Sequence, residues 1–87
     1  MAHYYFHLRD GVDILIDHEG RELEASDIAR LALTEARAII ADDAKGGRIH
    51  LDQRIDVEND SGKIVLTLQF ADAVAIQYPP IPRMGKG

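Results

Sequence analysis

Residues 54–70 read RIDVENDSGKIVLTLQF and give the best-determined hairpin of the sequence. Apolar side chains occupy alternate positions on both sides of a polar segment, residues 59–62: Ile55 and Val57 before it, then Ile64, Leu66, Leu68 and Phe70. A period of two is typical of half-buried strands, so the stretch predicts an antiparallel hairpin. A four-residue loop pairs Val57 with Ile64 and Ile55 with Leu66, which places all six apolar side chains on one face with Gly62 in the left-handed region. Residues 71–77 then either extend the second strand or form a short additional one through Val74 and Ile76.

A single long helix is predicted before this hairpin. Ser26 or a neighbour can cap it, Asp27 suits its first turn, and Gly46-Gly47 ends it. Its inward stripe follows spacings of three and four, the pattern of an amphipathic helix: Ile28, Leu31, Ala32, Glu35, Ala36, Ile39, Ile40 and Asp43.

A second hairpin is predicted at the start of the chain, where Tyr4, Phe6 and Leu8 alternate with polar residues. Asp10-Gly11 is a strong turn signal, and the return strand runs from Val12 to about Asp17. Two registers stay open. A two-residue turn pairs Leu15 with Phe6, whereas a three-residue loop places Ile14 and Ile16 beside Leu8 and Phe6.

These elements predict an α+β domain of order ββαββ over residues 1–77. Its four-stranded, largely antiparallel sheet carries one helix packed on one face. Residues 18–24 are polar and predict a loop. Residues 78–87 contain three prolines and two glycines, which predicts a disordered tail.

Charge and composition exclude several classes of function. The 87 residues include 10 Lys and Arg against 15 Asp and Glu, a net charge of −5. Binding to nucleic acid or to an anionic membrane surface is therefore not expected. The chain has no cysteine, which excludes disulfides and thiolate metal sites.

The first residues lack the pattern of a signal peptide, and no apolar run is long enough to span a membrane, so we expect a cytoplasmic protein.

The sequence contains no recognisable catalytic constellation, so we expect neither an enzyme nor a cofactor. His3 and His7 share a strand face but lie about 13 Å apart along it, too far for one metal ion. Asp17, His18 and Glu19 bring carboxylates and an imidazole together, and a small-ligand or metal site in this loop is one alternative function.

The leading expectation is a non-enzymatic interaction module, either a homodimer or a domain that binds a protein partner. Its contact surface is the polar, aromatic sheet face or an exposed edge strand. Tyr5, His7 and Arg9 are the predicted interaction residues, since tyrosine and arginine are enriched at interfaces. Apolar candidates on the outer sheet face are Tyr5, Ile14 or Leu15, and Val65. A further alternative is a regulatory partner that resembles small antitoxins, which is a fold-level analogy only.

The order of several short motifs resembles a family of small bacterial proteins, the domain of unknown function 6894. The motifs are residues 4–11, residues 17–23, the alanine-rich helix with Ala36-Arg37, residues 54–57, residues 60–62 and residues 70–74. The resemblance covers residues 3–76. Members of the family commonly have paired acids before the glycine equivalent to Gly20, where this chain has His18-Glu19. The resemblance implies a small stand-alone domain without an established activity, cofactor or catalytic residue.

Overall fold

The computed structural model describes residues 1–77 and 79, and within them it has the predicted α+β class. The predicted tail lies, apart from Pro79, outside these residues. A 3₁₀ turn at Ala25–Asp27 leads into the main helix. The elements are β1 (Ala2–Asp10), β2 (Asp13–Leu15), β3 (Arg21–Leu23), α1 (Ile28–Lys45), β4 (Arg54–Asn59), β5 (Ile64–Gln69) and α2 (Phe70–Ala73).

The strands form one antiparallel sheet in the order β2-β1-β4-β5. β3 was predicted as loop and instead pairs with the start of β1. Tyr4 is opposite Asn59 of β4 and also Arg21 of β3, so β3 must lie on the edge of β1 that faces away from β4. Leu8 is likewise shared by β4 and β2. Two strands of three residues each therefore line the same edge of β1, with a gap between them.

The core lies between one sheet face and α1. The helix buries one residue per turn, Ile28, Ala32, Ala36 and Ile40. Ala32 and Ala36 are fully buried, and such small side chains let the helix approach the sheet closely. Val57 and Phe70 are the largest fully buried side chains. Burial of each contributes about 1.5–3 kcal/mol to the free energy of unfolding.

The β4–β5 hairpin forms as predicted, but its register differs. Val57 pairs with Leu66 and Ile55 with Leu68, two residues beyond the predicted partners. The Gly62 N–H donates to the Asn59 carbonyl, and the Asn59 N–H donates to the Lys63 carbonyl, which closes a three-residue loop rather than one of four. The Asn59 side chain adds bonds from the N–H groups of Ser61 and Lys63. Gly62 takes the predicted positive φ of 82°.

A β-bulge after this turn accounts for the remaining shift. Glu58 is opposite Ile64 while Val57 is opposite Leu66, so Val65 is the extra residue. Ile64 is consequently 40% exposed instead of joining the core. Phe70 leaves the strand and opens α2, where its N–H donates to the Gln53 carbonyl. Residues 71–77 therefore neither extend β5 nor form an additional strand, so both predicted alternatives were wrong.

Both registers considered for the first hairpin were wrong. Asp10 pairs with Asp13 and Leu8 with Leu15, so the turn residues are Gly11 and Val12 rather than Asp10 and Gly11. Of these two turn residues, Gly11 alone has a positive φ, at 63°. This fits a turn that needs glycine at its first central position. β2 ends at Leu15, short of the predicted Asp17, because Asp17 is used in another way.

Candidate functional site

Asp17 closes the gap between β2 and β3 on the edge of β1. One carboxylate oxygen, Oδ2, accepts a hydrogen bond from the Phe6 N–H at 3.0 Å. The other, Oδ1, accepts from the N–H groups of Glu19 at 3.3 Å and Gly20 at 3.0 Å. Burial raises the pKa of Asp17, but these backbone donors and the Arg21 charge outweigh it, and the pKa lies below its ordinary value of 3.8. Asp17 therefore substitutes for a strand at this edge.

The same loop is held to β1 by two histidines. The Asp17 N–H donates to His7 Nδ1 at 3.0 Å, and His3 Nε2–H donates to the Glu19 carbonyl at 2.7 Å. Gly20 lies directly against β1, where a Cβ would be 2.6 Å from the Tyr4 carbonyl oxygen. The loop thus requires glycine at this position, both for its φ of 63° and for space.

This geometry bears on the predicted ligand loop. Both oxygens of Asp17 are occupied by backbone donors, and the side chains of His18 and Glu19 are exposed. In the part of the chain that the structure describes, no group of three or more His, Asp or Glu side chains is arranged to hold a metal ion. The loop's contacts serve to seal the sheet edge.

The three predicted interaction residues lie on the sheet face opposite α1. Their strand partners on β4 are Glu58 for Tyr5, Asp56 for His7 and Arg54 for Arg9. The Tyr5 and His7 rings are stacked with their centroids 6.4 Å apart, and the centroids of the Tyr5 and His3 rings are 5.1 Å apart. His7 is only 7% exposed, with Nε2 3.7 Å from a Glu58 oxygen. We call this surface the outer face; it consists of Tyr5, His7 and Arg9 of β1 and their partners Arg54, Asp56 and Glu58 of β4.

Asp56 is the buried centre of the outer face. It is 4% exposed, and it accepts hydrogen bonds from Arg9 Nε at 2.5 Å and Thr67 Oγ1 at 2.9 Å. Arg54 Nε lies 3.3 Å from its other oxygen. Burial raises the pKa of Asp56, whereas the Thr67 and Arg9 hydrogen bonds and the Arg54 charge lower it, leaving the pKa below 3.8. The sequence alone did not single out Asp56, because its hydrogen-bond and ion-pair partners come from three different strands.

Comparison with known families bears out the resemblance. Residues 3–71, which contain α1 and all five strands except for Ala2 of β1, match the family described as domain of unknown function DUF6894. The chain belongs to the DUF6894 family. No curated protein and no solved structure matched this DUF6894 chain in the same comparisons.

Two apolar positions of the DUF6894 domain lie elsewhere than the sequence suggested. Leu15 is opposite Leu8, on the helix side of the sheet, whereas Ile14 is opposite Arg9 on the outer face. Val65, the bulge residue, lines a groove beside the first turn of α1 rather than the outer face. The groove encloses 350 Å³ and is lined by Tyr4, Ala25, Ile28, Ala29, Val65 and Leu66.

A second cleft, of 380 Å³, opens between β2 and the middle of α1. Its floor is apolar, with Phe6 and Ile55 from the sheet and Ile39 from the helix. Arg21 stands at the rim, 5.4 Å above the Phe6 ring, and donates to Glu35 at 3.0 Å. This ion pair connects β3 to α1 across the cleft.

The two edges of the sheet differ. β2, β3 and Asp17 cover one edge, while no strand pairs with the outer edge of β5 within residues 1–77. β5 consists of Ile64–Gln69 and contains no charged residue, proline or glycine. In the same part of the chain, no helix is both long and apolar enough to cross a membrane.

Proposed function

We propose that this DUF6894 domain is a non-enzymatic interaction module that joins a second copy of itself through the outer edge of β5. The observation that carries the proposal is the contrast between the two sheet edges. An unpaired edge strand presents free N–H and C=O groups that can pair with another strand. Proteins that stay monomeric usually blunt such an edge with short strands, charges or proline.

The β2 side of the sheet has protection of this kind. It consists of two three-residue strands, and Asp17 takes up the Phe6 N–H in the gap between them. On β5 the bulge at Val65 interrupts only the start of the strand. Leu66–Gln69 keep a regular register with β4, and none of these side chains is charged. This segment is therefore suited to strand addition.

The partner that we propose for this edge is a second copy of the chain. The chain carries a net charge of −5, so two copies repel unless they meet at an uncharged surface. Antiparallel pairing centred on Thr67 places Leu66 of one copy opposite Leu68 of the other. Both residues lie on the helix side, so this register forms apolar cross-strand pairs and joins the sheets into one.

The apolar groove beside β5 supplies further contact area. It lies between Val65 and Leu66 of the strand and Ile28 and Ala29 of α1. Self-pairing through β5 covers its mouth, so apolar surface is removed from water in addition to the backbone hydrogen bonds.

Light scattering on a size-exclusion column tests the proposal with two matched variants. Val65→Lys places a charge at the β5 edge, whereas Val12→Lys makes the same change at a fully exposed turn residue. We expect twice 9.7 kDa for the wild type and Val12→Lys, and 9.7 kDa for Val65→Lys. Circular dichroism checks that both variants fold. Equal masses for the two folded variants would overturn the assignment to β5.

A further inference from the structure

Arg9 and Arg54 form a pair of like charges on the outer face. They are directly opposite each other on β1 and β4, a placement that is unfavourable without a counter-charge. The Nε atoms of both arginines lie close to the carboxylate of Asp56, which is on β4 two residues after Arg54. Asp56 therefore holds the two guanidinium groups side by side.

The outward parts of both guanidinium groups remain available. The side chains of Arg9 and Arg54 are 39% and 43% exposed. Within the described part of the chain, the hydrogen bonds of both residues' guanidinium groups run through Nε to Asp56, which leaves the Nη donors to solvent. Gln69, opposite Arg54 on β5, adds a side-chain amide to the same row.

The charges at this place do not cancel. Two guanidinium groups and one carboxylate leave one positive charge, on a chain whose net charge is −5. Glu58, the next acid along this face of β4, lies against His7, its nearest ion-pair partner. A single bound anion would complete the neutralisation, and planar guanidinium forks match the oxygens of carboxylate and phosphate.

We infer that Arg9 and Arg54 form a binding site for one oxyanion, a phosphate or carboxylate group of a ligand, with Asp56 as the positioning residue. The site does not require self-pairing through β5, since both arginines and Asp56 belong to β1 and β4. Arg9 was predicted to contact a protein partner, whereas in this site it contacts a small anionic group.

Nuclear magnetic resonance of the arginine Nε–H groups tests this inference, with inorganic phosphate and acetate as probes at ionic strength held constant with chloride. We expect saturable shifts of the Arg9 and Arg54 signals with at least one probe. The anion that binds more tightly identifies the ligand class. Arg30 on α1, with its side chain 70% exposed, is the internal control. Shifts that do not saturate, or that are equally large at Arg30, would overturn the site.

Two variants separate a built site from a general charge effect. Arg54→Gln should weaken binding of the preferred probe about tenfold, the loss of one charge-assisted contact, whereas Arg30→Gln should leave it unchanged. Asp56→Asn removes a negative charge, which by itself favours an anion, but it also removes the group that positions both arginines, and we expect weaker binding. Unchanged binding in Arg54→Gln, or tighter binding in a folded Asp56→Asn, would contradict the inference.

Discussion

The Asp17 carboxylate accepts a hydrogen bond from the Phe6 N–H at 3.0 Å, at the place on β1 where neither β2 nor β3 provides a strand partner. The other carboxylate oxygen closes the loop onto Glu19 and Gly20. One side chain thus satisfies a strand edge and shapes the loop that crosses it. Asp17 thus helps to cover one edge of the sheet in the DUF6894 domain, whereas no strand among residues 1–77 pairs with the outer edge of β5.

Replacing Asp17 should destabilise the domain. Asp17→Ala leaves the N–H groups of Phe6, Glu19 and Gly20 without their acceptor, and we expect a loss of about 1–3 kcal/mol in the free energy of unfolding. Asp13→Ala is the control, because this exposed aspartate lies in β2 beside the turn. Urea unfolding measures both. Equal stability of the two variants would show that the Asp17 contacts contribute nothing.

Gly20 should tolerate a methyl group less well than Gly11. Both have a φ of 63°, but a Cβ on Gly20 meets the Tyr4 carbonyl at 2.6 Å whereas one on Gly11 meets nothing within 4 Å. Gly11→Ala should cost about 1–2 kcal/mol for the left-handed backbone alone. Gly20→Ala should cost at least about 1 kcal/mol more because β1 and the loop must move apart. Thermal unfolding of both variants gives the comparison, and equal costs would refute the close packing of this loop.

Acid should unfold the domain through its two hydrogen-bonded aspartates. The pKa values of Asp17 and Asp56 are lower in the folded state than the ordinary 3.8, so the folded protein binds fewer protons there than the unfolded chain. Their contribution is fully present above pH 3.8 and is lost as the pH falls through the lower folded-state values. Urea unfolding at a series of acidic pH values should therefore give a shallower pH dependence for Asp56→Asn than for the wild type. An unchanged slope would contradict the charged, hydrogen-bonded state of Asp56.

Truncation of Phe70 should be among the most costly changes. Its side chain is fully buried at the junction of β5 and α2, and Phe70→Ala should cost about 3–5 kcal/mol. Ile76→Ala is the control, since Ile76 is 60% exposed. Denaturant unfolding should leave the control within about 0.5 kcal/mol of the wild type. A cost for Phe70→Ala as small as the control's would place Phe70 outside the core.

Periodicity predicted the elements that bury one face over several turns or residues. The α1 stripe and the apolar face with Ile55 and Val57 follow from spacing alone, since burial requires that pattern. The strand register was harder to predict from the sequence, because it depends on single hydrogen bonds in the turns. The Asn59 carbonyl and side chain set the length of one loop, and Gly11 at the first central position set the other.

Contacts between distant segments could not be predicted from local patterns. The polar run around Asp17 gives the period of neither strand nor helix, yet it contains β3 and the residue that closes the sheet edge. Asp56 and its partners Arg9, Arg54 and Thr67 form a cluster that joins β1, β4 and β5. Its members are up to 58 residues apart along the chain, from Arg9 to Thr67. Such clusters depend on strand order, which apolar alternation does not encode.

Self-association through β5 can be tested by amide hydrogen exchange of this strand at two protein concentrations. Alternate N–H groups of β5 face away from β4, and they are protected only if another strand pairs with this edge. We predict that these amides are protected in concentrated solution and lose protection on dilution, while those of β1 keep theirs. Equally fast exchange of the outward β5 amides at both concentrations would contradict self-association through this edge.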